Sequence, residues 1–250
     1  MKRKNKMKTN PQKSLPDDLE KIIGVTFTNK DLLLRAFTHR SYLNENHDAD
    51  ANNERLEYLG DAVLEFLVSK FLFEKYPGRP EGDLTSFRSA TVRTDTLAEV
   101  AGKMKYGRYL RMSKGEEKTG GRTKDYLLAN TFEAVLGAMY LDRGIRTCDS
   151  FLKRVLYPLI GTIVEHRLDI DPKTRFQELS QDAHKLTPSY ELLSETGPDH
   201  DKLFTMGVYI GKTEYGRGLG SSKQRAEEEA AKAAIVKITA ETSTQKPETA

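Results

Sequence analysis

The sequence predicts an all-α domain over about residues 15–165, followed by a small α+β domain of order α-β-β-β-α. Three observations carry that prediction. Apolar residues recur at helical spacing through the first two thirds of the chain. A proline-bearing polar segment, Asp169-Ile170-Asp171-Pro172, then interrupts the pattern. Beyond it Phe204, Met206, Val208 and Ile210 alternate with other residues, the period of a half-buried strand.

The elements follow in order. Residues 1–14 carry Lys2, Arg3, Lys4, Lys6 and Lys8 and no acids, the profile of a disordered, solvated tail. No apolar stretch follows that would make this tail a signal peptide. Leu32, Leu33, Ala36 and Phe37 form one helical stripe, which ends near the polar run 44–53. A second helix spans about 54–76 and stops at Pro77-Gly78, and helical periodicity continues through 84–104 and 126–141. Residues 166–172 read as a linker, and 173–240 as the second domain. Its first helix covers about 174–185, with strands near 190–195, 204–210 and 213–219. A last helix opens at Ser222, with Ala226, Ala230, Ala233 and Ala234 on one face. Residues 241–250 are expected to be a disordered tail. Gly216-Arg217-Gly218-Leu219-Gly220 lacks the parallel βαβ context of a nucleotide loop and is taken as a tight turn.

With 37% hydrophobic and 31% charged residues the composition is that of a soluble globular protein. No run approaches the roughly 18 apolar residues of a membrane span. Cys148 stands alone, which excludes an intramolecular disulfide framework and a cysteine-rich zinc site and fits a reduced, cytoplasmic setting. The formal net charge of +3 says little about a nucleic-acid partner.

The chemistry concentrates in two helices. In Asn53-Glu54-Arg55-Leu56-Glu57-Tyr58-Leu59-Gly60-Asp61-Ala62-Val63-Leu64, the carboxylates of Glu54, Glu57 and Asp61 share one helix face. Leu56, Leu59, Val63 and Leu67 lie opposite, toward a core. A solvated acidic face explains this helix equally well when it is taken alone. The helix around Leu127-Leu128-Ala129-Asn130-Thr131-Phe132-Glu133-Ala134-Val135-Leu136-Gly137 is apolar nearly all round and should be buried. A carboxylate inside it is costly without a partner. Asn130 and Glu133 share a face and can complete a metal site begun by Glu57 and Asp61, while Gly137 lets another helix approach closely. Oxygen-only ligands point to magnesium, with manganese a substitute, rather than zinc.

The stretch 53–64 closely resembles the signature of the bacterial ribonuclease III family. The resemblance extends through Thr38-His39-Arg40-Ser41-Tyr42, Glu81-Gly82-Asp83-Leu84 and 128–134. It implies a helical nuclease domain in which Asp61 and Glu133 are catalytic and Glu57, Asp61, Asn130 and Glu133 hold Mg2+. Glu54 and Glu81 would be supporting acidic groups, and Tyr58 would stand at a homodimer interface. It also implies cleavage of double-stranded RNA at two composite sites, leaving 5′-phosphate and 3′-hydroxyl ends with two-nucleotide 3′ overhangs. Ribosomal precursors and structured messages are the implied substrates. Asn130 departs from the family pattern, which usually has aspartate there, so weaker metal binding is expected.

The second domain resembles a double-stranded-RNA-binding domain. The resemblance makes Thr174, Gln177 and Glu178 contacts of the first helix, and Pro198 and His200 contacts of the β1–β2 loop. Ser222, Lys223 and Arg225 would meet phosphates at the start of the last helix. Glu227–Glu229 are taken as a solvated face that makes this version less basic. His39, His47, His166, His184 and His200 show no metal-ligand spacing. The alternative function is a catalytically weak or inactive double-stranded-RNA-binding protein on the same fold; Asn130 is the one residue that favours it.

Overall fold

The computed structural model describes residues 18–47, 51–198 and 202–244, and the chain divides between His166 and Arg167 into two units. The first holds α1 (Asp18–Ile23), α2 (Lys30–Ala36), α3 (Arg40–Leu43), α4 (Glu54–Lys75), α5 (Glu81–Val92), α6 (Thr94–Lys103), α7 (Lys114–Lys118), α8 (Asp125–Arg143), α9 (Ile145–Val155) and α10 (Tyr157–His166). Among the described residues the named strands all lie in the second unit. Before them only an isolated bridge joins Thr38 to Arg111. The segment 84–104 is not one helix. Arg93 is extended (φ −65°, ψ 154°) and ends α5 before α6 begins. The Thr96 hydroxyl donates back across the break to the Ala90 carbonyl at 2.9 Å.

The apolar helix is α8, and it is the axis of the first unit, packing against α4, α6, α2 and α9. Phe37, Phe87, Phe132 and Phe151 are fully buried in the core of this unit. The closest approach is to α4, where both helices present a glycine. A Cβ added at Gly60 would lie 1.8 Å from the Glu133 carbonyl oxygen, and one at Gly137 would lie 2.1 Å from that of Leu56. Only hydrogen on both Cα atoms permits this contact.

The second unit comprises α11 (Pro172–His184), β1 (Ser189–Thr196), β2 (Leu203–Ile210), β3 (Thr213–Gly220) and α12 (Lys223–Thr244). The sheet is antiparallel in the order β1-β2-β3. Asp171 caps α11, accepting from the N–H groups of Lys173 (3.0 Å) and Thr174 (3.1 Å), and Pro172 occupies the first turn, where its missing N–H costs nothing. The helix therefore starts two residues before the expected 174.

Two expectations are corrected. The glycine run 216–220 is not a turn but part of strand β3. Gly216, Gly218 and Gly220 pair with Val208, Met206 and Phe204 on the face that meets α12. A Cβ at Gly218 would lie 2.2 Å from both the Ala226 carbonyl oxygen and the Ala230 nitrogen, and one at Gly216 2.5 Å from the Ala230 carbonyl oxygen. Alternate glycines thus let an alanine-faced helix lie directly on the strand, over a core of Phe176, Val208, Ile210, Tyr215 and Ala234. The last helix also runs past Ala240 to Thr244, and the Tyr215 hydroxyl donates to Glu241 (3.1 Å), which holds that extra turn to the sheet.

Candidate active site

The Gly60–Gly137 contact sets the site. With the helices at backbone distance, Glu57 and Asp61 of α4 come against Asn130 and Glu133 of α8. The Asn130 carboxamide hydrogen-bonds to Glu57. Glu133 is half-buried in the middle of α8, where Asn130 is the one other residue between Leu127 and Met139 that is not buried. Burial, with Asp61 and Glu57 next in effect, pushes its carboxyl up to about 8. Glu57 is also raised, by burial first and then by Glu54, against the hydrogen bond from Asn130. Asp61 and Glu54 are exposed.

Glu81 stands elsewhere. It is exposed on the first turn of α5, accepts from the Thr85 hydroxyl (2.9 Å), and does not figure among the charges felt by Glu57 or Glu133. Among the described residues no three histidine, cysteine or carboxylate groups lie at metal-ligand spacing. The donor set nonetheless suits a hard divalent cation: three carboxylates and one carboxamide, all oxygen donors, with two of the acids raised by burial and mutual repulsion. Cationic charge at that point would offset both shifts by favouring the ionised carboxylates.

A pocket of about 570 Å³ opens beside Glu57 and Asn130. Its other walls include Asn53, Glu54, Glu116, Tyr126 and the turn His39-Arg40-Ser41. The turn is pinned. The Asn53 N–H donates to Thr38 O (2.9 Å), and Ser41 Oγ lies 2.8 Å from His39 Nδ1 and accepts from the Ser113 N–H at 3.0 Å. Burial keeps the His39 imidazole below its usual range. Lys124 pairs with Glu116 at 2.7 Å and holds that wall residue in place. None of the residues of this wall except Glu54, Glu57 and Asn130 was singled out from sequence. The motif 38–42 marked the segment but gave no role.

The second unit presents another polar face. Thr174 and Gln177 of α11 and Gln224 and Glu228 of α12 line a pocket of about 410 Å³. Glu178 is exposed and pairs with Arg175 at 3.3 Å. Ser222 Oγ accepts from the Arg225 N–H at 3.2 Å and caps α12, so Lys223 opens that helix. The acidic run of α12 is not wholly solvated, because Glu227 holds Lys173 at 2.6 Å, and Lys173 lies over the Tyr190 ring at 5.0 Å. Pro198 follows β1, and His200 lies outside the described residues. Tyr58 is 82% exposed on α4, and Phe66 and Phe73 are 59% and 73% exposed on the same helix.

A helical domain with carboxylates paired across two helices, followed by an α-β-β-β-α unit, defines a nuclease carrying a double-stranded-RNA-binding module. Residues 29–159 match the family described as "Ribonuclease-III-like", and 172–238 match "Double-stranded RNA binding motif". The chain is 44% identical over 224 residues to Ribonuclease 3 of Listeria welshimeri, covering 89% of this chain and 97% of that protein. It is 43% identical over 226 residues to Ribonuclease 3 of Streptococcus pneumoniae, covering 90% and 97%. Among solved structures it is similar to the nuclease domain of ribonuclease III from Campylobacter jejuni. That match has a TM-score of 0.53 at 36% identity and covers 57% of this chain and 98% of that one. The chain belongs to the ribonuclease III family and is an endoribonuclease of double-stranded RNA; the family is metal-dependent.

Proposed function

We propose that the chain cuts both strands of duplex RNA as a homodimer, with Mg2+ held by Glu57, Asp61, Asn130 and Glu133. The observation that carries this is the Glu133 carboxyl, raised to about 8 by burial beside Asp61 and Glu57. A structural residue gains nothing from such a position. The cation supplies positive charge that offsets charge developing on the phosphate oxygens. The protein's part is placement: α8 holds Glu133 and Asn130 rigidly, and α4 brings Glu57 and Asp61 to them. The products carry 5′-phosphate and 3′-hydroxyl ends with two-nucleotide 3′ overhangs, and the substrates are ribosomal precursors and structured messages in the cytoplasm.

Partnering is supported by the exposed aromatics of α4. Tyr58, Phe66 and Phe73 fall within about 80° of one helix face at 100° per residue, and all three are exposed. Such a stripe favours self-association. The Campylobacter jejuni structure is described as showing flexibility in a region involved in dimer formation. RNA contacts in the second unit fall to Thr174, Gln177, Glu178, Pro198, His200, Ser222, Lys223 and Arg225.

The test is cleavage of a long RNA duplex with Mg2+, beside Glu133→Gln. Short duplexes with 5′-phosphates, absent with the variant, are expected. Intact RNA bound by both proteins, with excess Mg2+ or Mn2+, would overturn the catalytic assignment.

A further inference from the structure

We propose that the pocket beside Glu57 receives the ribose of a nucleotide adjoining the bond to be cut, and that the Asn53 carboxamide recognises its 2′-hydroxyl. The inference rests on the nuclease function above and adds a specificity-determining residue to it.

Asn53 is only 3% exposed, yet it lines the pocket. It occupies the N-cap position of α4 in a helical conformation (φ −82°, ψ −13°), and its side chain makes no capping bond. Other capping side chains behave differently: Asn29, Ser113 and Asp171 all accept from their own helices. Among the described residues no hydrogen-bond partner meets the Asn53 carboxamide. Its carboxamide faces the pocket and is free to meet a group that enters there.

The walls identify the partner's chemistry. Glu54, Glu57 and Glu116 line the same space. Three carboxylates repel a phosphate but accept hydrogen bonds from a hydroxyl. A ribose hydroxyl meets both needs, donating its proton to a carboxylate while its oxygen accepts from the NH2 of the Asn53 carboxamide. Arg40 has a side chain 73% exposed and is held to Glu54 only at 3.7 Å. It stands ready for the phosphate attached to that ribose. The volume, about 570 Å³, suits one nucleotide-sized group and falls in the ordinary range for a ligand pocket. Glu57 and Asn130 belong both to this pocket and to the carboxylate cluster, so a ribose here neighbours the phosphate under attack. The 2′-hydroxyl is what distinguishes RNA from DNA at a given position.

The experiment is single-turnover cleavage by the full chain of an all-ribo duplex. It is compared with duplexes carrying one 2′-deoxynucleotide on either side of the scissile phosphate. The native protein is expected to cut one of the two deoxy duplexes about tenfold more slowly, the worth of one buried hydrogen bond. Asn53→Ser, which puts a favoured capping residue there without the carboxamide, is expected to cut all three duplexes at one reduced rate. Asn53→Asp keeps the size of the side chain but exchanges its donor for a negative charge, and is expected to erase the discrimination too. Should one variant fail to fold, the other decides. Equal cleavage of all three duplexes by the native protein, or an unchanged ratio in a folded variant, overturns the proposal. No cleavage of the all-ribo duplex by the native protein would instead refute the nuclease function itself.

Discussion

Gly60 of α4 and Gly137 of α8 meet at backbone distance, and the space a Cβ would need is filled by the Glu133 carbonyl at Gly60 and by the Leu56 carbonyl at Gly137. This contact fixes the distance between the two pairs of polar side chains, so it governs the site as directly as the carboxylates do.

Gly60→Ala is therefore expected to push α4 and α8 apart. The added carbon would sit 1.8 Å from the Glu133 carbonyl oxygen, which belongs to a helix and cannot swing away. Overpacking of this kind costs about 1–3 kcal/mol, or a fall of several degrees in Tm. Cleavage should fall further than stability, since Glu57 and Asp61 move with the helix. Gly82→Ala, where a Cβ meets nothing within 4 Å, is the control and should leave Tm unchanged or raised. Thermal unfolding with a cleavage assay decides it, and equal behaviour of the two variants would refute the role given to Gly60.

The raised Glu133 carboxyl gives a pH dependence whose sign is fixed. Its folded value, about 8, lies above the ordinary carboxylate range near 4.3. Ionisation therefore opposes folding. The associated stability is present below the ordinary range, declines as pH rises, and is gone above about 8. Metal-free protein is expected to lose thermal stability between about pH 5 and 8, and Glu133→Gln to flatten that slope. Mg2+ should restore native stability at pH 8 and do little for the variant. Parallel melting curves for the two proteins would show that Glu133 is not the group responsible.

Asn130→Asp should lower the Mg2+ concentration needed for half-maximal cleavage severalfold. A fourth carboxylate adds charge to the cation's surroundings. It also replaces the hydrogen bond that now steadies Glu57, so the metal-free variant should melt at a lower temperature. An unchanged Mg2+ requirement would remove Asn130 from the inner metal shell.

Much of this was legible in sequence, for a physical reason. The buried acid in α8 and the acidic arc of α4 break the rule that apolar helices carry no lone charge, and such breaks mark sites. Gly137 announced a close approach, whereas Gly60 was hidden inside the motif that contains it. The break at Arg93 was not legible, because apolar periodicity continues across it and a single extended residue suffices to turn the chain. The glycines of β3 were misplaced as a turn because glycine signals both reversal and close packing. Only the alanine face of α12, brought to the strand by the fold, distinguishes the two. The pocket walls were illegible because His39, Glu116 and Tyr126 come from segments separated in sequence and meet only in the fold.

The second unit makes a separable prediction. Gly218→Ala places a carbon 2.2 Å from the Ala226 carbonyl oxygen and the Ala230 nitrogen, and neither backbone can yield without lifting α12 from β3. Lys223 and Arg225 ride on that helix, so duplex-RNA affinity at low salt should drop markedly. The nuclease unit has its own core, and it should still unfold at its native temperature. Unchanged binding by gel shift would mean that α12 need not sit on the sheet for RNA to be held.

The exposed stripe of α4 is tested last. Tyr58, Phe66 and Phe73 are 82%, 59% and 73% exposed, so a charge placed there should leave the monomer's fold intact. In a symmetric pair each substitution counts twice. If Phe66 contributes about 2 kcal/mol per copy, as a central aromatic does, Phe66→Glu removes about 4 kcal/mol and weakens association about a thousandfold. Sedimentation should then show a folded monomer. RNA cleavage should fall with the dimer and recover at high protein concentration, where mass action restores association. A dimer that survives Phe66→Glu with its native affinity would place the interface on another face.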